Sequence, residues 1–520
     1  MEVRKYMASL YGENKTLTTV PEDAPTARCA NGIFVGKRSA GVCSFKGIPY
    51  ALPPTGERRW QRAVPVPDGQ TVCQAFYFGP SPIQTTAASE RASYYRQSED
   101  CLYLNVWTAD SLMLESKRPV MVWIHGGSYG WGGTSDPLYD GQNFVRTHPD
   151  VVLVTIGYRT GIMGFIDLST IPGGEAFKDA PNLGLLDQVE ALRWVKRNIS
   201  AFGGDPNNVT IFGESAGGGS VSLLPLIPEA KGLFQRVIAE SGSIALTYSR
   251  DECQSLTRRL LKRSKASSMA DLMALSEEQL MELNEDLNEY NCFPQRDGRI
   301  LPEDLFQSYR HGDATHVDML IGTNRDEARY WIGEMGGTFI YKLLLPVLYR
   351  KNTKRLSLAD RDTLQLFRRS LPDGTWPRTE FYNEVMFRIP AICQAEAQAA
   401  NGHPAYMYYW TKPSSLRNRG ACHAVELAYV FNNLDETIYT GEPADSALAS
   451  EVGQMWVNFA RTGNPSTARH AWPAYECPAR TTMFLGSDIH CEDDPLPKQR
   501  RTMMPMMKYH FNGSYADILP

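Results

Sequence analysis

Long hydrophobic runs are missing from this 520-residue sequence. Its longest purely apolar stretches, such as Val151-Val152-Leu153-Val154, are far shorter than the roughly 20 residues that a membrane-spanning helix needs. The N-terminal stretch Met1–Leu10 carries charges but no apolar core, which is not the pattern of a signal peptide. The sequence therefore predicts a cytoplasmic protein without a membrane span.

Blocks of positive charge are missing as well. The chain has 53 Lys and Arg against 58 Asp and Glu, a formal net charge of −5, and no extended basic run. A nucleic-acid-binding protein would show a basic patch or stripe. We therefore expect a small-molecule partner and no nucleic acid, and the sequence leaves open whether the protein is a monomer or a homodimer.

Cysteines are scattered, and no two of the ten are spaced as C-x-x-C. That density is too low for a disulfide framework, so free thiols in a reducing compartment are the expectation. No H-E-x-x-H motif or clustered Cys and His spacing suggests a metal. The stretch Gly130-Trp131-Gly132-Gly133 lacks the G-x-G-x-x-G spacing of a dinucleotide site. We therefore predict neither a metal nor a cofactor.

Short apolar runs alternate with helical patterns along most of the chain. The runs lack polar alternation, which is typical of strands covered on both faces in a parallel sheet, and they lie at Val120–Ile124, Val151–Ile156, Val209–Phe212, Val237–Ala239, Met319–Ile321 and Ala405–Trp410. Helical spacing appears in the stripe Leu185, Val189, Leu192, Val195 and Ile199. Strands alternating with helices predict an α/β fold with a mostly parallel sheet.

The length alone would favour about three domains, but no linker is visible. We therefore predict one domain over residues 26–520. Residues 1–25 are polar and aperiodic and are interpreted as a flexible N-terminal arm. The Leu-, Met- and Glu-rich stretch Cys253–Asn291 is interpreted as an inserted helical region.

A serine between glycines is the first motif with chemical meaning. Gly213-Glu214-Ser215-Ala216-Gly217 follows the strand-like run Val209–Phe212 and precedes further small residues. A G-x-S-x-G pattern alone is weak, because glycine is common. After a strand, however, it predicts the tight strand–turn–helix elbow that presents a nucleophilic hydroxyl.

A second glycine motif lies about ninety residues earlier. His125-Gly126-Gly127-Ser128 follows the run Val120–Ile124. In α/β hydrolases a turn of this type supplies backbone N–H groups to an oxyanion, together with the amide of the residue after the nucleophile. A nucleophile with such amides indicates acyl transfer.

The serine needs a base and an acid, which in this fold class follow it in the order acid, then histidine. His423 is one of several downstream histidines, and it lies in a loop after the strand Ala405–Trp410. A surface or capping histidine is the alternative interpretation of this residue. The acid is expected where the strand Met319–Ile321 ends, and spacing does not choose between Asp326 and Glu327.

The ordered set of motifs resembles the type-B carboxylesterase family, which includes carboxylesterases, cholinesterases, fungal lipases and bacterial p-nitrobenzyl esterases. The resemblance extends from about residue 32 to 510. Besides the serine motif it rests on four segments: Phe45–Ala51, Ser98–Asn105, Asn182–Gln188 and Phe202–Pro206. It implies an α/β-hydrolase fold, with a large, mostly parallel sheet flanked by helices and helical insertions over the active site.

The resemblance also implies roles for individual residues. Ser215 matches the family nucleophile, Glu327 its acid and His423 its base. Four residues match the oxyanion hole: Gly126, Gly127, Ser128 and Ala216. Two ion pairs resemble structural pairs of the family: Arg59 with Glu99 and Arg159 with Asp187.

Two further residues are candidates for supporting the histidine. Glu214, beside the nucleophile, either stabilises the imidazolium of His423 or has only a structural pairing role. Ser241 resembles a family serine that supports the histidine, and a simple turn serine is the alternative. Four aromatic residues are candidates for the walls of the substrate pocket, with a place in the core as the alternative for each: Tyr129, Trp131, Tyr330 and Trp331.

The chain departs from the family pattern at a few positions. Ser128 replaces the usual Gly or Ala of the oxyanion turn, and Ala328 and Ala424 replace glycines that often follow the acid and the histidine. Where cholinesterases carry a tryptophan that stacks on a quaternary ammonium, this chain has Arg91. That difference argues against choline esters.

These observations predict a serine carboxylesterase that acts on small neutral esters through an acyl-enzyme. A lipase or an amidase on the same fold is the nearer alternative. A non-catalytic adhesion relative is the more distant one, and the intact set Ser215, Glu327 and His423 argues against it.

Overall fold

The computed structural model of the chain describes residues 11–84, 94–112, 117–287, 292–334, 350, 353, 354, 356–371 and 377–509. Fifteen strands lie in these ranges: β1 Thr16–Leu17, β2 Thr26–Cys29, β3 Gly32–Val35, β4 Lys37–Ser39, β5 Val42–Pro49, β6 Val72–Gln74, β7 Tyr103–Ala109, β8 Arg118–Ile124, β9 Val152–Ile156, β10 Gly204–Glu214, β11 Arg236–Glu240, β12 Asp318–Asn324, β13 Ala405–Trp410, β14 Thr482–Leu485 and β15 His490–Glu492.

Eleven of the strands form one sheet, in the order β15-β14-β13-β12-β11-β10-β8-β9-β7-β5-β4. The seven consecutive strands from β14 to β9 are parallel, and the strands at either edge pair antiparallel. The six apolar runs predicted as strands are β8 to β13. They are almost wholly buried, because helices cover both faces of the parallel part.

Fifteen α-helices lie in the same described ranges: α1 Gly141–Thr147, α2 Gly161–Gly164, α3 Leu183–Asn198, α4 Ala216–Leu223, α5 Arg250–Ser264, α6 Met269–Met273, α7 Glu277–Asp286, α8 Leu305–His311, α9 Arg329–Glu334, α10 Leu358–Ser370, α11 Pro377–Tyr382, α12 Ile389–Ala400, α13 Leu427–Val430, α14 Ser446–Thr462 and α15 Pro497–Met503. A π-helix, Asn383–Arg388, joins α11 to α12. The predicted apolar stripe lies on α3 and is buried. The predicted helical insertion forms α5, α6 and α7, and its last residues, 288–291, lie outside the described residues.

The core lies on both faces of the large sheet. Along β8, Val120, Val122 and Ile124 belong to one hydrophobic cluster, whereas Met121 and Trp123 belong to another. Alternate residues of a strand point to opposite faces, so the two clusters are the two helix-covered layers. Because helices cover both faces of the sheet, the carboxyl ends of the parallel strands, where the motifs lie, are left uncovered by these layers.

The N-terminal segment differs from the prediction of a flexible arm over residues 1–25. From residue 11 onward it packs on the body of the molecule: β1 pairs with β6, and the Tyr11 hydroxyl donates to Ser135 Oγ at 2.6 Å. These long-range contacts were invisible in a polar, aperiodic sequence. Residues 1–10 lie outside the described part.

The two predicted ion pairs are present and buried. Arg59 meets Glu99 at 2.6 Å, and Arg159 meets Asp187 at 2.6 Å. No helix in the described ranges combines the length and the apolar character needed to cross a bilayer.

Candidate active site

Ser215 lies at a sharp turn between β10 and α4. Its backbone has φ 57° and ψ −121°, a conformation that side-chain-bearing residues rarely adopt. The turn can pack this tightly only because Gly213 and Gly217 have no Cβ. A Cβ at Gly213 would lie 2.6 Å from the carbonyl oxygen of Ile124, and one at Gly217 would collide with the same atom. The predicted elbow is therefore present, and it directs the Ser215 side chain into a pocket.

The predicted oxyanion turn lies beside this elbow, after β8. Gly127 and Ser128 both have left-handed φ values, 107° and 53°. The backbone N–H groups of Gly127, Ser128 and Ala216 donate to no acceptor among the residues that the structure describes. Since Gly127, Ser128 and Ser215 line the same pocket, these amides are donors available to a bound oxygen.

His423 reaches this pocket from the loop after β13. Its Nδ1 lies 2.6 Å from Oε2 of Glu327, and both side chains are buried. The other oxygen of Glu327 accepts the backbone N–H of Asn324 at 2.7 Å, which holds the carboxylate in place. Glu327 is therefore the acid that contacts the histidine.

Asp326, the alternative acid, points elsewhere. It accepts the backbone N–H of Ala421 at 2.9 Å and pairs with Arg325 and Arg329. The two neighbouring carboxylates thus serve different purposes, one facing the imidazole and the other anchoring a loop.

Glu214 faces the second nitrogen of the imidazole. Its Oε1 lies 3.1 Å from His423 Nε2, but the two groups are not aligned for a hydrogen bond. The Ser215 side chain makes no hydrogen bond within the described residues, and its hydroxyl is not sealed from the pocket. His423 Nε2 therefore remains available to a partner in the pocket.

A buried polar network continues behind the histidine. Asn324 Nδ2 donates to the Cys422 carbonyl at 2.9 Å and to Glu426 Oε2 at 2.5 Å. Ser241 Oγ donates to Glu426 Oε1 at 3.4 Å, so its link to His423 runs through Glu426 rather than directly. Sequence reasoning missed Asn324, although it lies in the same strand-end motif as Glu327.

The clustered carboxyl groups shift one another's protonation. Burial alone would lower the pKa of His423, but the charges of Glu214 and Glu327 outweigh it and raise that pKa to about 9. Burial raises the pKa of Glu214 to about 8 and that of Glu426 to about 7. The site therefore favours a charged imidazolium close to partly protonated carboxyl groups.

Aromatic side chains surround the imidazole and wall the pocket. Trp331 stacks on the imidazole of His423 with ring centroids 5.2 Å apart. Phe387 of the π-helix also packs on this imidazole, with ring centroids 5.1 Å apart. Of the predicted wall residues, Trp131, Tyr330 and Trp331 line the pocket, together with Tyr139 and Tyr439.

The interpretation of Tyr129 as a wall residue is wrong. Its side chain is fully buried against Phe165 and Phe293. Phe387, Tyr139 and Tyr439 were missed in the sequence, because only the folded chain brings their segments to the pocket.

Two residues that depart from the family pattern have a left-handed backbone conformation. Ser128 has φ 53° and Ala424, after the histidine, has φ 65°. Glycine adopts such angles without steric cost, so Ser128 and Ala424 hold a backbone conformation that is strained for a residue with a side chain. A search of the described ranges for groups of three or more His, Cys, Asp and Glu placed to hold a metal ion finds none.

Comparisons with known proteins agree with this geometry. Residues 23–495 match the family model described as "Carboxylesterase family". The chain is similar to the para-nitrobenzyl esterase of Bacillus subtilis, with 37% identity over 91% of this chain and 97% of that protein. It is also similar to carboxylesterase 1F of Mus musculus, with 31% identity over 88% of this chain and 89% of that protein.

Solved structures give the same result. A crystal structure of a Geobacillus stearothermophilus carboxylesterase superposes with a TM-score of 0.83 and 35% identity, covering 92% of this chain and 99% of that one. A PNB esterase structure superposes with a TM-score of 0.78 and 36% identity, over 92% of this chain and 100% of the other. The predicted α/β-hydrolase fold is thereby confirmed.

Proposed function

The chain belongs to the carboxylesterase family and is a carboxylic-ester hydrolase, and on that premise we propose that Ser215, His423 and Glu327 form its catalytic triad. One observation carries the proposal. Ser215 at the strained elbow shares one pocket with His423, whose Nδ1 is held 2.6 Å from Glu327.

In the first half of the reaction, His423 Nε2 removes the proton of Ser215 as the hydroxyl attacks the ester carbonyl. Glu327 holds the ring with Nδ1 toward itself, so that Nε2 faces the pocket, and stabilises the imidazolium that forms. The imidazolium then protonates the leaving alcohol, and an acyl-enzyme remains on Ser215. Catalytic hydrogen bonds often tighten only when substrate binds, which fits the unpaired Ser215 hydroxyl of the free enzyme.

Oxyanion stabilisation is assigned to backbone amides. The N–H groups of Gly127, Ser128 and Ala216, which have no acceptor among the described residues, would donate to the oxyanion, with Gly126 setting the turn. Such donors act on charge that develops in the transition state. Water then attacks the acyl-enzyme with His423 as the base, and the acid product leaves.

Glu214 and Ser241 are proposed to support the base rather than to react. Glu214 faces Nε2 and would stabilise the imidazolium electrostatically. Ser241 orients Glu426 and, through it, Asn324 beside the histidine loop.

The proposed substrates are small esters without a cationic group. The aromatic walls suit a compact, partly apolar ester. The similar Bacillus subtilis protein is named a para-nitrobenzyl esterase, which points in the same direction. Arg91, whose charge argues against choline esters, lies outside the described residues.

Labelling and turnover together test the proposal. A serine-directed fluorophosphonate should add one group, at Ser215, and abolish hydrolysis of short acyl esters such as ethyl butyrate. Peptide mass spectrometry locates the label, and chelators should leave the rate unchanged, because the proposed nucleophile is activated by a histidine. A modified residue other than Ser215, with unlabelled Ser215 and lost activity, would overturn the triad.

A further inference from the structure

One arginine beside the active-site pocket differs from two nearby arginines in having no acidic partner among the described residues. The Arg419 guanidinium lies over the ring of Tyr330, 5.1 Å from its centroid, and Nη1 donates to the Tyr330 carbonyl at 2.8 Å. Within the described chain, no carboxylate forms an ion pair with Arg419. Nearby Arg325 and Arg329, by contrast, both pair with Asp326.

The remaining donors of Arg419 form an open fork. Among the described residues, Nε and Nη2 have no acceptor, and neither atom is closed off from solvent. These two groups lie side by side along one edge of the planar guanidinium, in the geometry that matches the two oxygens of a carboxylate. The orientation of this edge is held by stacking on Tyr330 and by the Nη1 hydrogen bond.

The guanidinium of Arg419 lies on the side of Tyr330, which in turn contacts the imidazole of His423. Tyr330 lines the pocket and packs edge-on against His423, with ring centroids 6.1 Å apart. The guanidinium carbon therefore lies no farther from the imidazole than the sum of the two centroid distances, about 11 Å. Tyr439, another wall residue, packs on Tyr330, and the next residue, Thr440, accepts a hydrogen bond from Ser415 in the loop that carries Arg419. Arg419 thus packs directly against Tyr330, a residue of the pocket wall, without itself lining the pocket.

From this arrangement we propose that Arg419 is a specificity residue that binds a carboxylate on the substrate, a few bonds away from the scissile ester. The favoured substrates would be half-esters of dicarboxylic acids or esters of hydroxy acids. The inference rests on the proposed esterase function and narrows the proposed substrate class from esters without a cationic group to esters that bear a remote carboxylate.

The electrostatics of the pocket allow such an anion. Glu214 is the carboxyl group among the described residues that line the pocket, and it faces Nε2 of His423 at 3.1 Å, so its charge acts first on the imidazole rather than on a distant anion. A guanidinium beside the pocket wall, with no carboxylate partner among the described residues, would attract an anionic ester toward the site.

Paired esters that differ only in charge test the inference. On the acyl side, monoethyl adipate is compared with the neutral ethyl adipamate. On the alcohol side, the acetate ester of γ-hydroxybutyrate is compared with that of γ-hydroxybutyramide. The measured quantity is the ratio of kcat/KM, carboxylate over amide, at low ionic strength and with the carboxylate fully ionised.

In at least one pair the unaltered enzyme should favour the carboxylate ester by about tenfold or more, the effect expected of a charge-assisted hydrogen bond. Arg419→Gln should bring that ratio close to one, and Arg419→Lys should retain part of it, because lysine keeps the charge but not the fork. Arg258→Gln, at an exposed position on α5, makes the same change of net charge and should keep the full ratio.

The failure of this inference differs from the failure of the proposed function. Amide esters that are hydrolysed with no preference for the carboxylate in either pair would overturn the role of Arg419, as would a preference that survives in Arg419→Gln. If instead no ester in the panel is hydrolysed and Ser215 takes no fluorophosphonate label, the proposed function itself fails.

Discussion

The Nε2 atom of His423 lies 3.1 Å from Oε1 of Glu214, the residue immediately before Ser215. On the opposite side of the ring, Nδ1 is hydrogen-bonded to Glu327 at 2.6 Å. The imidazole therefore lies between two carboxyl groups, and only one of them is hydrogen-bonded to it. A positive charge on the ring is stabilised from both sides, which benefits the imidazolium formed during catalysis and delays formation of the neutral base.

The pH dependence of activity should reflect this position. The neutral imidazole is the active base, and the pKa of His423 is raised to about 9, so kcat/KM should increase with pH well beyond the ordinary histidine pKa of about 6.5. Glu214→Gln removes a charge that raises this pKa, so the rising limb should move to lower pH. Profiles for ethyl butyrate check this, with the surface variant Glu229→Gln as control. A limb that stays in place in Glu214→Gln would contradict the assignment.

The triad assignment predicts a graded loss of activity. Ser215→Ala and His423→Ala should lower kcat by roughly 10⁴ to 10⁶, as removal of triad residues does elsewhere. Glu327→Gln should cost somewhat less, since the base remains but is misoriented. Asp326→Asn is the matched control, because Asp326 contacts Ala421, Arg325 and Arg329 rather than the imidazole. A larger loss in Asp326→Asn than in Glu327→Gln would reverse the choice of acid.

Ser128 should act through its backbone N–H, not its hydroxyl. Ser128→Ala keeps the amide and should change kcat/KM by less than about tenfold, or ~1.4 kcal/mol. Ser128→Pro removes the donor and cannot adopt φ 53°, so it should lose at least the ~10² to 10³ of one oxyanion contact. Ser128→Gly keeps the amide and suits the left-handed backbone. An alanine variant as inactive as the proline variant, while folded by circular dichroism, would show that the hydroxyl is functional.

Substrates with a quaternary ammonium should be poor. Arg91 occupies the position where cholinesterases have a cation-stacking tryptophan. Butyl butyrate should therefore have a higher kcat/KM than choline butyrate, which shares its acyl group. The neutral ester 3,3-dimethylbutyl butyrate, in which carbon replaces the ammonium nitrogen of the choline ester, separates the effect of charge from that of bulk. A clear preference for the choline ester over both neutral esters would refute this expectation.

The stability of the fold should depend strongly on the buried pair of Arg159 and Asp187. Both side chains are almost completely enclosed, so Asp187→Ala leaves an unpaired buried cation and should lower the free energy of unfolding by about 3–5 kcal/mol. The exposed pair of Arg197 and Asp68 is the comparison, and Asp68→Ala should cost no more than about 1 kcal/mol. Urea unfolding monitored by tryptophan fluorescence gives both values, and equal losses would contradict the argument.

Local sequence was a good guide wherever local structure decides the outcome. The six apolar runs are strands, since sheets covered on both faces require such runs. The elbow at Ser215 and the turn at Gly127 and Ser128 follow from glycines placed directly after strands. The resemblance to the carboxylesterase family, which the comparisons confirm, depended on these same ordered motifs.

Contacts between distant segments were not predictable in this way. Spacing left Asp326 and Glu327 equivalent; only packing of the His423 loop against the end of β12 brings Glu327 to the imidazole and sends Asp326 to Ala421. Tyr129 resembled a pocket residue because it adjoins the oxyanion turn, but its left-handed backbone, φ 57°, accompanies a side chain buried in the core.

What the sequence by itself determined is therefore the sheet, the nucleophile turn and the family, because strand burial and tight turns leave patterns within a few residues of chain. What only the tertiary structure decided is which carboxyl group faces which atom of His423, which aromatic rings wall the pocket, and that Arg419 has no acidic partner in the part of the chain that the structure describes. Those features depend on distances between residues far apart in the chain, and such distances are set only when the helices and loops pack around the sheet.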